Sequence, residues 1–527
     1  MEIKRLTNIK LRLGDSEAKL REAAKRTLKC NPAYFRIVKK SLDARDKNNI
    51  VYVYTIEFAA KETARIAAKD ASRVLEFERL PNDKLPPESK PVLIVGAGPA
   101  GLFCALRLLK RGITSLVIER GEPIEVREKT LKIFHETGEL NTESNVSFGE
   151  GGAGTFSDGK LNTGTHVKEN DEVLGEFIRF GAPEEIAYLN KPHIGSDRLK
   201  GVVKNMREYL LNHGSRVLFN ACLTDISIKS GKISQAEITY KNGDSRANEK
   251  IDVSAVVLAV GHSARDTFEL LRRKGISLAK KDFAVGVRIE HLQSSIGLSQ
   301  YGEKYKLLPP ADYKCVFHGD RAAFTFCMCP GGYVMAAASE EGGVVTNGMS
   351  NYARNGDNAN SALIVQVTAA DYPEDNPLAG VEYQRRIERA AYRLGGGKYV
   401  APAQRAEDFL KGRASSGFGD VQPTYPRGVV PAELSSVFPK PVYEELKRAI
   451  AGMDIRLKGF ACPDAVLTAA ETRTSSPVRI VRGDDMQSVS VKMLFPCGEG
   501  AGYAGGITSS AADGIRVADA VFQALLS

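Results

Sequence analysis

The 527-residue sequence has no long hydrophobic run and few cysteines. No apolar segment approaches the roughly 20 residues that a membrane-spanning helix needs. The eight cysteines are scattered along the chain and do not suggest a disulfide scaffold. The first twenty residues mix charged and apolar side chains throughout, which is not the pattern of a signal peptide. We therefore expect a protein of the reducing cytoplasm without a membrane span.

Positive charge is concentrated near the N-terminus. Residues 1–50 contain 14 Lys and Arg but 6 Asp and Glu, while the whole chain has a net charge of +9. This basic segment could bind an acidic partner or nucleic acid. The alternative, which we favour, is a solvated helix face.

Residues 1–88 are predicted to form a small basic α/β module. Residues 9–13 alternate as a strand does, and residues 16–30 have helical spacing. Two further strands, 34–42 and 50–59, flank a polar turn, and a second helix is predicted at 61–71. These elements predict a ferredoxin-like or similar two-layer unit, followed by a proline-rich linker at 81–90.

Residues 91–120 carry the most informative motif, Gly96-x-Gly98-x-x-Gly101 between an apolar strand and a helix. The first glycine permits a sharp turn, the second permits close approach of a pyrophosphate, and the third lets the helix pack near the sheet. A second strand ends in Glu119, where an acid can bind an adenosine ribose. The motif predicts a dinucleotide site that includes Gly96, Gly98, Pro99, Ala100, Gly101, Glu119 and Arg120.

A second glycine-rich turn lies near the C-terminus. A strand at 493–497 leads into Gly498 and Glu499, and a helix begins at Ile507 after Gly505 and Gly506. This pattern resembles flavoproteins of the glutathione-reductase type, in which the acid binds the ribityl chain and the helix N-terminus faces the flavin pyrimidine. A helix N-terminus stabilises the negative charge of reduced flavin. Here a Glu stands where that pattern more often has Asp.

The chain as a whole resembles a bacterial family of uncharacterised FAD-dependent dehydrogenases and, more distantly, the aminoacetone-oxidase-like flavoproteins. The resemblance rests on VGAGPAGL, FGEGGAGTFSDGKL, LAVGHSARDT, FCMCPGG and CGEGAGYAGGI. It implies FAD as the cofactor, and it implies that the glycine-rich loop at 149–165 wraps it. Further contacts implied by the resemblance are Gly154, Lys160, Leu161, Asn162, Leu223 (to adenine), Gly261 and Arg127. Arg127 would bind the pyrophosphate, or it is a solvated helix residue.

The predicted fold class is α/β, with a Rossmann-type, glutathione-reductase-like FAD-binding domain in two segments. The segments are 89–281 and 486–527. Between them, short alternating strands and two helices predict an inserted, β-rich mixed substrate domain at 282–485.

Candidate catalytic residues are few. Cys327 and Cys329 could exchange electrons with a flavin, but a disulfide between residues i and i+2 of a strand would be strained. We therefore favour small buried hydrophobic residues that line the cavity. Arg473 could bind an anionic group of a substrate or form a structural pair with Glu471. The histidines show no metal-ligand spacing, so no metal site is predicted, and His262 is either an acid/base or a turn residue.

The function we expect is that of a FAD-dependent oxidoreductase that transfers a hydride between a small molecule and flavin N5. The full dinucleotide fingerprint, with GxGxxG between a strand and a helix and an acid after the next strand, occurs once, at 91–120. No dedicated NAD(P)H domain is therefore expected, and transient binding of NAD(P)H is one candidate source of electrons. Two alternatives remain. One is an RNA-binding or tRNA-modifying flavoprotein that docks through the N-terminal module, and the other is a non-catalytic scaffold that holds flavin.

Overall fold

The computed structural model describes residues 3–61, 90–164, 167–242 and 245–527. The predicted helix at 61–71 and the predicted linker at 81–90 lie outside these ranges, except for residues 61 and 90.

The N-terminal module is a three-stranded antiparallel sheet with one described helix. Its elements are β1 (Lys4–Arg12), α1 (Ala18–Leu28), β2 (Tyr34–Asp43) and β3 (Val51–Ala59), with strand order β1-β3-β2. Leu20 and Ala24 of α1 are buried against Tyr54, Ile56 and Phe58 of β3, which gives the module its own core. The bounds of α1, β2 and β3 agree with the predicted ones, whereas β1 begins at Lys4, well before the predicted strand at 9–13.

The N-terminal module is attached to the rest of the chain by backbone hydrogen bonds. The Lys40 N–H donates to the carbonyl of Tyr188 at 2.8 Å, and the Asn190 N–H donates to the carbonyl of Lys40 at 2.9 Å. The Lys47 ammonium also donates to the carbonyl of Ser299, at 2.7 Å.

A five-stranded parallel sheet forms the centre of the second unit. Its strands are β4 (Val92–Val95), β5 (Ser115–Ile118), β6 (Arg216–Leu218), β10 (Ala255–Leu258) and β22 (Leu494–Pro496), in the order β22-β10-β4-β5-β6. The strands β4, β5, β10 and β22 are buried throughout, as expected of a parallel sheet covered on both faces, whereas the edge strand β6 is partly exposed. The last strand comes from the C-terminal segment, so the domain is completed only when the chain returns.

Helices and a small antiparallel sheet complete this unit. The helices are α2 (Pro99–Lys110), α3 (Ile124–Thr137), α4 (Glu169–Arg179), α5 (Ser196–Asn212), α6 (Arg265–Arg273) and α11 (Ile507–Leu526). The strands β7 (Ala221–Lys229), β8 (Lys232–Asn242) and β9 (Ser245–Asp252) form a meander. The meander ends at Asp252, and the chain re-enters the parallel sheet with β10 at Ala255.

The inserted unit contains a seven-stranded mixed sheet in the order β13-β14-β17-β12-β20-β18-β19. Its strands are β12 (Phe283–Leu292), β13 (Val316–His318), β14 (Ala322–Cys329), β17 (Asn358–Val367), β18 (Ala401–Arg405), β19 (Val429–Pro431) and β20 (Val466–Glu471). A separate hairpin pairs β15 (Tyr333–Ala336) with β16 (Thr346–Met349). The helices are α7 (Gln293–Tyr301), α8 (Ala379–Leu394), α9 (Ala406–Lys411) and α10 (Lys440–Asp454).

The chain enters and leaves the inserted unit along one short antiparallel ribbon. Strand β11 (Leu278–Lys280) pairs with β21 (Val478–Ile480) just outside the large sheet. Both strands of this ribbon contact the core of the nucleotide-binding unit. The large sheet itself therefore begins at Phe283 and ends at Glu471.

Candidate functional site

A cavity of about 310 Å³ lies between the parallel sheet and the inserted sheet. It opens at the carboxyl ends of the parallel strands, which is where ligands bind in open α/β sheets. Its second wall comes from β14, β16 and the segment that ends β20. The following predicted residues line it: Gly96, Gly98, Pro99, Ala100, Glu119, Arg120, Gly154, Lys160, Asn162, Leu223, Gly261, Cys327, Arg473, Glu499, Gly505, Gly506 and Ile507.

The turn after β4 admits only glycine at two positions. Gly96 has a φ of +107°, and a Cβ there would lie 2.3 Å from the carbonyl oxygen of Ala259. A Cβ on Gly101 would lie 1.9 Å from the carbonyl oxygen of Gly96. Gly101 therefore does not line the cavity but brings α2 close to the turn, as predicted for the third glycine.

Glu119 closes the other side of this turn. Its buried carboxylate accepts hydrogen bonds from the N–H groups of Ala97 at 2.8 Å, Gly121 at 3.0 Å and Gly149 at 2.9 Å. The acid thus joins three loop segments besides facing the cavity. The neighbouring Arg120 is held by ion pairs with Glu143 and Asp266.

Arg127 has a different place from the predicted one. It is fully buried, and its guanidinium donates to backbone carbonyls of the loop at 145–152 rather than facing the cavity. The distances are 2.9 Å to Asn145, 2.7 Å to Glu150, 3.0 Å to Gly152 and 3.0 Å to Val146. Burial lowers the pKa of Arg127 to about 10. Both sequence interpretations are therefore wrong, because this arginine is an internal brace of the loop.

The described part of the glycine-rich loop, 149–164, lines the cavity at several positions. Lys160 and Asn162 line it, whereas Leu161 between them is buried in the core. The carbonyl of Leu161 accepts a hydrogen bond from the Thr508 hydroxyl at 2.8 Å, which fixes the loop against the start of α11. Leu161 therefore anchors the loop and does not line the cavity, although it was predicted as a cofactor contact.

Lys160 is the cation that this loop brings to the cavity. Its ammonium lies 3.5 Å from Asp158, which also accepts hydrogen bonds from Arg354 and Ser350. Burial lowers the pKa of Lys160, but the charge of Asp158 and its surroundings raise it above the ordinary value. The side chain therefore stays protonated at the cavity wall.

The C-terminal turn supplies the opposite end of the cavity. Glu499 accepts a hydrogen bond from the Gly506 N–H at 3.2 Å, and burial raises the pKa of Glu499 to about 7. Gly498 lies behind the wall, because a Cβ there would come within 2.7 Å of the Ala100 Cβ. It is a packing residue rather than a cavity residue.

The inserted unit contributes buried charge to its wall. Arg288 forms two hydrogen bonds with Glu471, at 2.9 and 3.0 Å, and Arg473 forms two with Glu388, both at 3.0 Å. Arg473 is therefore in a structural pair, but its partner is Glu388 and not the predicted Glu471. These partners lie more than eighty residues apart, so no local sequence signal could have revealed them.

His262 also lines the cavity. Burial, followed by the charges of Arg473 and Arg265, lowers the pKa of His262 to about 4. One of its ring nitrogens lies 2.8 Å from the Ser263 hydroxyl. The other weak candidate, Cys329, is fully buried behind Cys327 and does not line the cavity.

The residues present fit a dinucleotide with a flavin end. Helices α2 and α11 both begin at the cavity with a glycine N-cap and no side-chain cap, so their first N–H groups are free for phosphate or flavin oxygens. A Cβ built on Gly261, Gly505 or Gly506 would meet no atom within 4 Å, which leaves open space beside the backbone. In the described part of the chain, no cluster of three or more His, Cys, Asp or Glu side chains could hold a metal ion.

The fold and this cavity define a FAD-binding protein with a Rossmann-type domain. Family models match in three parts: a FAD binding domain at 89–141, a FAD-dependent protein, C-terminal domain-like, at 282–474, and a domain of unknown function at 3–59. An uncharacterised protein from Clostridium beijerinckii is 45% identical over 533 residues, which cover 98% of each chain. The chain belongs to this family of FAD-dependent proteins, and FAD is its cofactor.

Solved structures are also similar over most of the chain. A geranylgeranyl bacteriochlorophyll reductase-like protein from Thermoplasma acidophilum is 13% identical, covers 83% of this chain and 79% of its own, and has a TM-score of 0.37. A flavoprotein/dehydrogenase from Cytophaga hutchinsonii is 11% identical, covers 83% and 78%, and has a TM-score of 0.36. Across the described ranges, no helix combines the length and the apolar character needed to cross a membrane.

Proposed function

We propose that this protein is a FAD-dependent oxidoreductase that moves a hydride between a small molecule and flavin N5. The observation that carries the proposal is the second wall of the cavity, where the inserted sheet faces the flavin-type end of the Rossmann unit. A protein that only stored FAD would have no need of a second, polar wall at that place. Bound FAD supplies the hydride chemistry, and the protein supplies position, electrostatics and exclusion of water.

The residues of the nucleotide side suit this task. The N-terminus of α11 and the Lys160 ammonium both lie at the cavity and favour negative charge there. Gly96, Gly98, Glu119 and Leu223 would hold the adenosine and pyrophosphate half of the cofactor. We assign these contacts as part of the proposal.

The inserted wall suits a partly polar small molecule. Thr346, Asn347 and Thr474 provide hydrogen-bonding groups, and Phe326 provides an apolar surface that is 40% exposed. Because Arg473 already forms two hydrogen bonds with Glu388, we assign it to holding this wall in place rather than to substrate chemistry.

The proposal is tested by loss of the visible flavin absorbance under anaerobic conditions. Purified holoprotein is mixed with metabolite pools, NADH or NADPH, and bleaching identifies an electron donor. The variant Phe326→Ala should raise KM for that donor without loss of bound FAD, whereas Ile455→Ala, on a surface residue that is 77% exposed, should not. Flavin that no donor and no metabolite pool can reduce would favour the scaffold alternative.

The basic N-terminal module gives little support to the alternative that this protein binds nucleic acid. Two of its arginines, Arg5 and Arg36, pair with the buried Glu57, and Lys40 pairs with Glu17 at 2.7 Å. Part of the positive charge thus serves the module itself. Binding to tRNA that falls steeply with salt and disappears on deletion of residues 1–88 would revive the alternative.

A further inference from the structure

Cys327 reaches the cavity because β14 is irregular at its end. Phe326 pairs with Ala362 of the neighbouring strand, but the next pair is Cys329 with Asn360, so β14 has an extra residue between them. Cys327 takes up this bulge with a left-handed φ of +44°. Its side chain therefore lines the cavity, while Cys329 is fully buried behind it.

The bulge also brings the two cysteines together. The Cys329 Sγ lies 3.2 Å from the Cys327 carbonyl oxygen, to which the Cys329 thiol donates a hydrogen bond. In a regular strand, residues i and i+2 are near the upper limit of the Cα separation that a disulfide permits. Strand β14 is not regular at this place, so the separation expected of a regular strand does not apply to this pair.

Charged groups of both signs act on Cys327. The cations are Lys160 and Arg288, and the opposing carboxylate is Asp158. Lys160 lies 3.5 Å from Asp158, and Arg288 pairs with Glu471 at 2.9 Å. The two cations that favour a thiolate at Cys327 are therefore held in place by carboxylates.

The cysteines that line this cavity differ in their expected ionisation. The neighbouring Cys329 side chain, and then the charges of Lys160 and Arg288, lower the pKa of Cys327 although burial opposes them. Burial raises the pKa of Cys222 to about 12, in spite of nearby Arg120. Cys222 is therefore a natural control, since it faces the same cavity but stays a thiol.

We propose that Cys327 and Cys329 form a two-electron redox site that reduces low-molecular-weight disulfides. The Cys327 thiolate attacks one sulfur of the disulfide RSSR, forms a mixed disulfide and releases RS⁻. The released RS⁻ takes the proton of Cys329 and leaves as RSH. The Cys329 thiolate then attacks the Cys327 sulfur, closes a Cys327–Cys329 disulfide and releases the second RS⁻. One disulfide is reduced by two electrons and the cysteine pair is oxidised by two. This site is independent of the hydride transfer proposed above.

The test uses full-length holoprotein and glutathione disulfide as the probe. A single tryptic peptide, 322–354, contains both cysteines and no other. In the wild type, this peptide should lose two hydrogens and regain them with dithiothreitol. In Cys329→Ser it should carry a glutathione adduct on Cys327, and in Cys327→Ser it should remain unchanged. Cys222 should stay free in every sample, and the exposed Cys30 should show that the probe is active.

The pH dependence separates a thiolate from a thiol that is merely accessible. A thiol with an ordinary pKa of about 8.5 would react roughly 75-fold more slowly at pH 6 than at pH 8, because its thiolate fraction falls by that factor. Adduct formation in Cys329→Ser should fall less than about threefold over this range. The proposal is overturned if Cys30 reacts while peptide 322–354 does not, if Cys327→Ser still forms an adduct on Cys329, or if the rate follows the ordinary thiol profile.

Discussion

The variant Glu119→Gln tests whether this acid holds the loops together as well as facing the ligand. The carboxylate accepts three backbone N–H groups, from Ala97, Gly121 and Gly149. A glutamine oxygen can keep the two that share Oε1, but its NH₂ group would face the Ala97 N–H. Hydrogen bonds to a charged group contribute about 1.5–3 kcal/mol each, and an unpaired buried donor costs about 1–3 kcal/mol. We expect local destabilisation of about 3 kcal/mol.

Amide hydrogen exchange followed by mass spectrometry measures this effect directly. About 3 kcal/mol corresponds to roughly hundredfold faster exchange at these three amides. FAD affinity should fall together with protection. The control is Glu128→Gln, which removes an exposed ion pair with Lys200 and should cost less than about 1 kcal/mol. Unchanged exchange in Glu119→Gln would refute the bracing role, and a loss of FAD affinity alone would mean that the carboxylate serves only the ligand.

Three further variants test the packing and the charges around the cavity. Gly101→Ala should yield protein without flavin, because its Cβ would overlap the Gly96 carbonyl. The control Gly201→Ala lies in open space on α5, so it should keep flavin, and its free energy of unfolding should rise by up to about 1 kcal/mol. Burial opposes ionisation of Glu340, but its arginine partners lower its pKa to about 2. The stability it contributes is therefore present above pH 4.5 and lost as pH falls towards 2, so thermal melting of Glu340→Gln should depend less on pH in that window. Burial raises the pKa of Glu499 to about 7. The contribution of Glu499 to the free energy of unfolding should therefore fall as pH rises from 4.5 to 7, and the flavin-free variant Glu499→Gln should not show this fall.

Each of these predictions has a result that contradicts it. Flavin retained at wild-type level in Gly101→Ala would mean that α2 can move away from the turn. Identical acid profiles for Glu340→Gln and wild type would show that the carboxylate is not held by its arginines. A decline of the same size in Glu499→Gln would place the titrating group elsewhere.

Much of the nucleotide-binding unit could be predicted from local patterns. The turns that contain Gly96 and Gly506, and the helices that follow them, depend on a few adjacent residues whose steric requirements are visible in the sequence. The inserted sheet was harder to predict. Strand β17 was not predicted, although it lies inside the seven-stranded sheet, because its first half, Asn358–Ser361, is polar. The buried Asn360 of this strand accepts a hydrogen bond from Arg288, which is 72 residues away in the chain.

The sequence by itself determined the strand–turn–helix units of the Rossmann domain, because glycine at their turns is required by local sterics. Its resemblance to FAD-dependent proteins indicated the cofactor. The tertiary structure alone decided which charged side chains face the cavity. Arg127 turned inward to brace a loop, Arg473 paired with Glu388, and Cys327 came to lie at a bulge beside Lys160. Burial and ion pairing depend on partners that are distant along the chain, so these positions exist only once both sheets have packed against each other.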